Sequence, residues 1–358
     1  MKKTVIISAP KYYGIDNDIK EAFDALGFKT LLINQFQLTI LERIAKKITS
    51  KLRFLRPIFN PIIKSYLIKE NEEFISLLSK EKPVLLFIIK GDNIFPATLE
   101  KIRKIFPCNI VGYAWDKPFY RLDNIQDDYR RSNLKDGIRW YDSLFVFDSF
   151  YMDEIKRQGA KKVYYLPLAT NPNRYKNISI TEQDRIDYGY DVCFVGLPFE
   201  NRVEIFESLR DYNLGVFGDG WEKYFMLKGK KLPSYYRGQA SGDIANKIYL
   251  TSKIVLNIHH PQSVEGLNAR TFDIPACGAF EMTDYKKNVE KHFEIDKEIV
   301  TFKNINELKS KIDFYLKNDD LRKDMAEHGK QKVLNEHTWV HRANDVITAL
   351  RESNYQSW

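Results

Sequence analysis

Two strand-like apolar runs, residues 254–258 and 279–282, flank the stretch His259-His260-Pro261-Gln262-Ser263-Val264-Glu265-Gly266-Leu267-Asn268-Ala269-Arg270-Thr271-Phe272-Asp273-Ile274-Pro275-Ala276-Cys277-Gly278. Its first half is a polar loop and its second half has helical spacing. The pattern therefore predicts a strand–loop–helix–strand unit of a parallel sheet. In open α/β sheets, ligands bind beside the carboxyl ends of the strands, where this loop lies.

The residue types in this loop favour an anionic ligand. Gly266 lets a ligand approach the backbone closely, and a helix starting near Asn268 directs amide donors and its positive dipole end at the loop. Arg270 carries a planar cation suited to phosphate, and Asp273, on nearly the same helical face, can accept hydrogen bonds from a ribose. Together these residues predict a nucleoside diphosphate site.

Strand-like and helix-like segments alternate through the rest of the chain, which predicts an α/β fold with parallel sheets. The predicted strands are 4–8, 29–33, 84–89, 109–114, 143–147 and 163–166, and then 191–196, 214–217, 254–258 and 279–282. The stretch 166–173 contains two prolines and two asparagines, and a polar stretch follows it to Gly189. Two α/β domains joined near residue 170 are therefore expected, with a ligand cleft between them.

Composition restricts the class of protein. The 358 residues are 44% apolar and 29% charged, which excludes wholesale disorder, and no apolar run approaches the ~20 residues of a membrane-spanning helix. The amino-terminal apolar run is too short for a secretory signal. The three cysteines lie far apart without Cys-x-x-Cys spacing, which argues against disulfides and structural zinc and favours the cytoplasm. The net charge of +8 favours anionic partners. No nucleic-acid-binding module is recognisable, so nucleic acid is not expected as a partner.

Several motifs resemble one enzyme family. Glu265 and Asp273 are spaced like the Glu-x7-Glu signature of group 1 glycosyltransferases, with Asp in the second place, and the wider run resembles the spore-maturation-protein-like (CgeB) group. Further similar segments are Phe194-Val195-Gly196 followed by Arg202, Phe217-Gly218-Asp219-Gly220-Trp221, Lys90-Gly91-Asp92, Trp115-Asp116-Lys117-Pro118, Leu166-Pro167-Leu168-Ala169 and His337-Thr338-Trp339 with Arg342. The resemblance covers most of residues 80–345.

This resemblance implies the GT-B architecture, in which two Rossmann-like lobes with parallel sheets face each other across a cleft. Residues 1–170 would form the acceptor domain and residues 171–338 the nucleotide-sugar domain. Residues 339–358 would form a helix that returns to the first lobe.

The resemblance also assigns roles to single residues. Arg202 and Arg270 would face the diphosphate, Asp273 the ribose, and Glu265, Gly266 and Asn268 the sugar and phosphates, with Glu265 counted among the catalytic residues. Gly196, Gly218 and His260 complete the expected donor-binding set. Aspartate in place of glutamate at position 273 shortens the reach to the ribose by one methylene.

Glycosyl transfer leaves negative charge on the departing diphosphate, which arginines and helix-start amides can stabilise. No Asp-x-Asp motif points to a metal-bridged diphosphate, so metal-independent transfer is expected, with the nucleotide sugar as co-substrate and no cofactor. An inverting enzyme would need a base for the acceptor hydroxyl, and Asp92 and Asp116 follow strands at the cleft side. Both could instead be turn residues, and the stereochemistry stays open.

Residues 43–69 contain eight basic residues and no acid, interleaved with many apolar residues. The segment could be a solvated helix face. It could equally rest on an anionic membrane or bind a phosphate-bearing acceptor. The protein could therefore be cytoplasmic and peripheral on the inner face of the membrane.

Three functions remain open from the sequence. The first is a glycosyltransferase, for hexosyl or related transfer, that makes a surface glycan or modifies a lipid-linked or protein acceptor. The second is a nucleotide-sugar epimerase on the same fold, which would not need the segment 43–69. The third is a non-enzymatic protein that binds an anionic ligand.

Overall fold

Two parallel six-stranded sheets organise the chain, one in each of two units. The computed structural model describes residues 2–11, 13–35, 44, 56–119, 132–176 and 178–352. One unit comprises Met1–Leu166 together with Ala343–Trp358, and the other comprises Pro167–Arg342.

The first unit carries a sheet whose strands run in the order β2-β1-β3-β4-β5-β6. Its strands are β1 (Thr4–Pro10), β2 (Lys29–Gln35), β3 (Leu85–Ile89), β4 (Asn109–Ala114), β5 (Ser143–Val146) and β6 (Val163–Tyr165). Its helices are α1 (Ile15–Ala25), α2 (Arg56–Glu81), α3 (Pro96–Ile105), α4 (Ser132–Asp136) and α5 (Met152–Arg157). Strands β3 and β4 are buried along their whole length, which explains their continuous apolar sequences.

The second unit carries a sheet in the order β12-β11-β10-β7-β8-β9. Its strands are β7 (Val192–Val195), β8 (Leu214–Phe217), β9 (Tyr236–Gly238), β10 (Ile254–Asn257), β11 (Glu281–Asp284) and β12 (Val300–Phe302). Its helices are α6 (Glu182–Tyr188), α7 (Glu200–Ser208), α8 (Trp221–Leu227), α9 (Gly242–Thr251), α10 (Arg270–Cys277), α11 (Ile305–Leu316) and α12 (Asp319–Glu336). A last helix, α13 (Trp339–Glu352), begins in this unit, and its residues from Ala343 onward belong to the first.

Aromatic packing holds α7 and α8 against the second sheet. The rings of Phe206 on α7 and Phe194 on β7 lie 4.9 Å apart, and Phe206 also contacts Trp221 of α8 at 5.8 Å. All three side chains are buried. Because β7, β8 and β10 are parallel neighbours, their carboxyl ends meet at one edge, where the three loops of the candidate site begin.

The α/β class and the paired Rossmann-like sheets predicted from the sequence are confirmed. Several short elements were not predicted, among them α4, α8, β9 and β12. The stretch predicted as a polar connector also contains α6, which starts with a capping box: Thr181 Oγ1 accepts a hydrogen bond from the Asp184 amide, and Asp184 accepts one from the Thr181 amide. The Thr-x-x-Asp pattern is a signal for a helix start, but the polar composition of the stretch favoured a connector.

Along the part of the chain that the structure describes, no helix is both long and apolar enough to cross a bilayer.

Candidate functional site

Two glycines bring the loops after β7 and β8 into backbone contact. Gly218 has φ +131°, and a Cβ at this position would lie 2.3 Å from the carbonyl oxygen of Gly196. The Gly196 amide donates to Phe217 O at 2.9 Å, and its carbonyl accepts a hydrogen bond from Trp221 Nε1 at 2.8 Å. A side chain at position 218 would therefore separate the two loops, so this glycine is required for backbone geometry.

Arg202 stabilises the loop after β7 through hydrogen bonds to backbone carbonyls. Its buried guanidinium donates to Ile258 O through Nε (3.1 Å) and Nη2 (2.6 Å), and to Leu197 O through Nη1 (2.7 Å). The group also lies 5.1 Å from the ring of Phe194 and 4.8 Å from that of Phe199. These bonds tie the loop after β7 to the end of β10. A diphosphate contact by Arg202 stays a prediction, and the geometry assigns it a positioning role.

Arg270 occupies the first position of α10, two residues later than the predicted helix start. Its Nε donates to Asn257 Oδ1 at 3.2 Å and its Nη2 to Ile258 O at 3.3 Å, while its guanidinium lies 5.5 Å from the ring of Phe194. No described residue accepts a hydrogen bond from Nη1. A Cβ on Gly196 would approach Nη1 to 3.2 Å, so the glycine leaves the space in which this cation lies.

The fully buried side-chain amide of Asn257 positions several residues of the site through hydrogen bonds. Its Oδ1 accepts hydrogen bonds from Asn268 Nδ2 (2.8 Å) and Arg270 Nε (3.2 Å). Its Nδ2 donates to Glu281 Oε1 (2.8 Å) and Thr271 Oγ1 (3.0 Å). One amide at the end of β10 thus fixes two predicted donor-site residues. Sequence reasoning missed Asn257, although a polar residue that closes the apolar run Ile-Val-Leu was a signal for it.

Glu281, the first residue of β11, is the buried partner of this amide. Burial raises its pKa to about 8, so its carboxyl group is mainly protonated at neutral pH. Its Oε2 has no hydrogen-bond partner within the described part of the chain. A neutral carboxyl can accept from Asn257 without placing a second full charge beneath Arg270.

The two adjacent histidines have different environments. His259 is buried, and its ring Nδ1 and its backbone amide both contact Asp284 Oδ1 at 2.7 Å. Burial lowers the pKa of His259, so a neutral ring with Nδ1–H donates to the carboxylate. His260 is partly buried, lies edge-on to Phe199 with ring centroids 4.2 Å apart, and accepts a hydrogen bond from the Gln262 amide. His259 is therefore structural, and a donor contact by His260 stays a prediction.

Asp273 is held by two hydroxyl groups that sequence reasoning missed. Its Oδ1 accepts hydrogen bonds from Thr170 Oγ1 and Tyr175 Oη, both at 2.7 Å. Burial raises the pKa of Asp273, and these hydroxyls oppose that rise. No described side chain donates to Oδ2, which can still accept a hydrogen bond from a ribose. Thr170 and Tyr175 lie in the stretch predicted to be only a connector.

Glu265 and Gly266 lie in the loop between β10 and α10. Lys287 Nζ lies 3.3 Å from Glu265 Oε1, and the Glu265 carbonyl accepts a hydrogen bond from the Asn288 amide at 3.1 Å. Gly266 is buried. Asn268 donates to Asn257 and accepts from the Thr271 amide, so its side chain supports the start of α10.

The two predicted carboxylates of the first unit follow adjacent strands. Lys90, just after β3, has φ +65° and forms an ion pair with Asp116, which follows β4. Its ammonium also lies 5.8 Å from the ring of Trp115. Asp92 is partly buried, and its backbone carbonyl accepts a hydrogen bond from Asn133 Nδ2 at 2.7 Å. Both residues therefore lie at the carboxyl edge of the first sheet.

The first unit does contain an Asp-x-Asp sequence, Asp16-Asn17-Asp18, in the first turn of α1. Both carboxylates are buried, and it is far in sequence from the predicted donor loop. Over the described ranges, no cluster of three or more His, Cys, Asp or Glu side chains is arranged to hold a metal ion.

Part of this chain matches a known family model, and most of it matches a characterised protein. Residues 202–348, which include the loop after β10 and all of α10, match the family model described as glycosyl transferase-like. The chain is 25% identical to the spore protein CgeB of Bacillus subtilis (strain 168) over 283 residues, which cover 73% of this chain and 81% of that protein.

Solved structures share the fold. Sucrose-phosphate synthase of Thermosynechococcus elongatus superposes with a TM-score of 0.67 at 14% identity, covering 97% of this chain and 98% of that one. HepE of Anabaena, solved in complex with UDP and glucose, superposes with a TM-score of 0.61 at 11% identity, covering 98% and 100%. The two-lobe α/β fold that the resemblance implied is confirmed.

The protonated state of Glu281 predicts a pH-dependent stability. The folded chain retains a proton that the unfolded chain releases above pH 4.5, so the free energy of unfolding should fall as the pH rises from 4.5 to about 8. This component is at most about 5 kcal/mol. Glu281→Gln keeps an acceptor for Asn257 and should lack this component, as measured by urea denaturation across that range.

Glu222→Gln, at an exposed position of the same unit, is the matched control and should follow the wild-type pH profile. Equal pH slopes for the wild type and Glu281→Gln would show that Glu281 is ionised in the folded protein.

Proposed function

We propose that this chain is a glycosyltransferase related to CgeB, and that it moves a hexosyl or related sugar from a nucleotide-sugar donor to a glycan, lipid-linked or protein acceptor. One observation supports this most strongly: Arg270 stands at the amino end of α10, is oriented by Asn257, and keeps one terminal nitrogen without a described acceptor. A fixed cation at a helix start is suited to a leaving diphosphate.

The proposed donor lies along the loops at the carboxyl edge of the second sheet. Its diphosphate contacts Arg270 at the amino end of α10, and its ribose donates to Asp273 Oδ2. Gly196 and Gly218 permit close approach of the phosphates, while Arg202 holds their loops in place. Glu265, Gly266, Asn268 and His260 surround the sugar and phosphates, as the family resemblance implies.

The chemistry proposed for this site needs no resident cofactor. As the anomeric carbon–oxygen bond breaks, negative charge grows on the diphosphate, and the Arg270 guanidinium and the positive dipole end of α10 stabilise it. These groups can substitute for a bridging metal ion. We therefore propose metal-independent transfer, with the nucleotide sugar as co-substrate.

A carboxylate of the first unit is the proposed base for the acceptor hydroxyl. Asp116 is the stronger candidate, because its side chain is 43% exposed and its ion pair with Lys90 fixes its position. Asp92 is the alternative.

We also propose that the protein works in the cytoplasm against an anionic membrane, through the basic and apolar segment 43–69. Residues 43 and 45–55 of this segment lie outside the described residues. On the described part of α2, Ile58 and Ile68 are exposed beside Lys64 and Lys69. Glycan synthesis on a lipid-linked acceptor would place the enzyme at such a surface.

Arg270→Ala should lower sugar transfer by roughly 10²–10³-fold while leaving the melting temperature nearly unchanged, since the leaving diphosphate loses a fixed cation. UDP-, GDP-, ADP- and CMP-sugars form the donor panel, and UDP-sugars come first because HepE was solved with UDP. Nucleoside diphosphate should raise the melting temperature of the wild type but not of Arg270→Ala. Addition of EDTA should leave transfer unchanged.

Arg210→Ala removes an exposed arginine of the same unit and should behave like the wild type. If no nucleotide stabilises the wild-type protein, or if Arg270→Ala keeps full activity, the donor site is wrong. An epimerised donor formed without acceptor would instead identify an epimerase.

Asp116→Asn should reduce the rate of transfer to acceptor by roughly 10²–10⁴-fold, because the proposed base is lost. Nucleotide binding should stay intact, because the residues of the proposed donor site are unchanged. Asp92→Asn is the paired variant, and the pH dependence of both is measured with the best donor. Loss of activity in Asp92→Asn alone would transfer the role of base to Asp92.

Reversing two charges on α2, Lys64→Glu with Lys69→Glu, should weaken co-sedimentation with anionic vesicles by about 25-fold or more, since each cation near the leaflet contributes about fivefold. The control Lys101→Glu with Lys104→Glu makes the same charge change at two exposed positions of α3. This variant should bind the vesicles as the wild type does. Equal binding of both double variants would exclude α2 from membrane contact.

A further inference from the structure

Seven consecutive residues of the second unit, Met226–Leu232, are all exposed at the end of α8 and in the loop after it. Three of them are large apolar residues: Met226 is 70% exposed, Leu227 72% and Leu232 45%. Other exposed large apolar residues of this unit stand singly along the sequence, as Ile186 does at 70%. A cluster of exposed apolar side chains on a folded domain indicates a contact surface.

The local fold holds this surface in place. The inner side of α8 is anchored by the buried rings of Trp221 and Phe225, whose centroids lie 6.3 Å apart. Trp221 also donates to Gly196 O at 2.8 Å. Met226 and Leu227 follow the anchor and lie on the solvent side. After Leu227 the helix ends, and Gly229 with φ +65° turns the chain toward Leu232.

The charged residues within this stretch are all basic. Residues 223–240 contain Lys223, Lys228, Lys230, Lys231 and Arg237, and no acidic residue. Two acids outside this stretch contact it: Glu200 accepts from Lys228 Nζ at 3.1 Å and Tyr224 Oη at 2.6 Å, and Glu207 accepts from Tyr235 Oη at 3.1 Å. The exposed Glu222 precedes it. Lys223, Lys230 and Lys231 are exposed to solvent.

We propose that residues 226–232, here called the 226–232 tip, insert into an anionic lipid leaflet. The apolar side chains enter the boundary between headgroups and acyl chains, and the lysines contact lipid phosphates. A free polyanion would engage the lysines but would leave Met226, Leu227 and Leu232 in water. The combination therefore selects a lipid surface. This contact is separate from segment 43–69 and does not rest on sugar transfer.

A reporter on the tip tests insertion directly. The three native cysteines are buried, so a thiol-reactive nitrobenzoxadiazole dye should label Leu227→Cys at position 227. With vesicles of phosphatidylcholine and phosphatidylglycerol, its emission should shift to the blue and brighten. Phosphatidylcholine alone, or high salt, should give a weaker response. Ile186→Cys, labelled at an equally exposed site, should not respond. An unchanged signal at position 227 would overturn the proposal.

Substitutions then separate lipid insertion from general polyanion binding. Lys230→Glu with Lys231→Glu should weaken co-sedimentation with these vesicles by about 25-fold or more. Met226→Ser with Leu227→Ser should weaken it about tenfold or more, while Ile186→Ser should not. If the serine variant binds vesicles fully and only the glutamate variant fails, on vesicles and heparin alike, the tip is a polyanion site and the proposal is wrong. Donor hydrolysis without vesicles should be unchanged in all of these variants, which separates this result from the assignment of function.

Discussion

The candidate site depends on the hydrogen bonds of one buried amide. Asn257 sits at the carboxyl end of the central strand β10, and all four of its hydrogen-bonding positions are used, by Asn268, Arg270, Thr271 and Glu281. A buried polar group is tolerated only when it is satisfied, and a satisfied one fixes the geometry of its neighbours. Here the neighbours include the guanidinium proposed to face the diphosphate.

The chemistry of Glu281 fits the same requirement. An ionised carboxylate at this depth would compete with the ligand for the positive charge of Arg270, and its burial would cost several kcal/mol. Because burial raises the pKa of Glu281, the group remains a neutral hydrogen-bond partner at neutral pH. The positive charge of Arg270 is then available to an anion that enters from solvent.

The loops around Asn257 are held mainly by contacts with backbone atoms. Arg202 was predicted to face a phosphate, yet it donates to the carbonyls of Leu197 and Ile258. Gly196 and Gly218 allow the loops after β7 and β8 to contact each other, and any side chain at position 218 would prevent this contact. The loops that would surround a donor are therefore held by buried, rigid groups, as precise positioning of a leaving group requires.

The sequence alone determined the α/β class, the paired parallel sheets, and the loop and helix that carry Gly266, Arg270 and Asp273. Those features follow from apolar periodicity and from residue types that keep their chemistry in any fold. Tertiary structure alone decided that Asn257 and Glu281 lie beneath Arg270, that Thr170 and Tyr175 hold Asp273, and that Met226, Leu227 and Leu232 face solvent together. These pairings join residues far apart in the chain or depend on which face a short helix buries. The spacing of residues along one sequence does not predict such contacts, because they form only when separate strands and helices pack against one another.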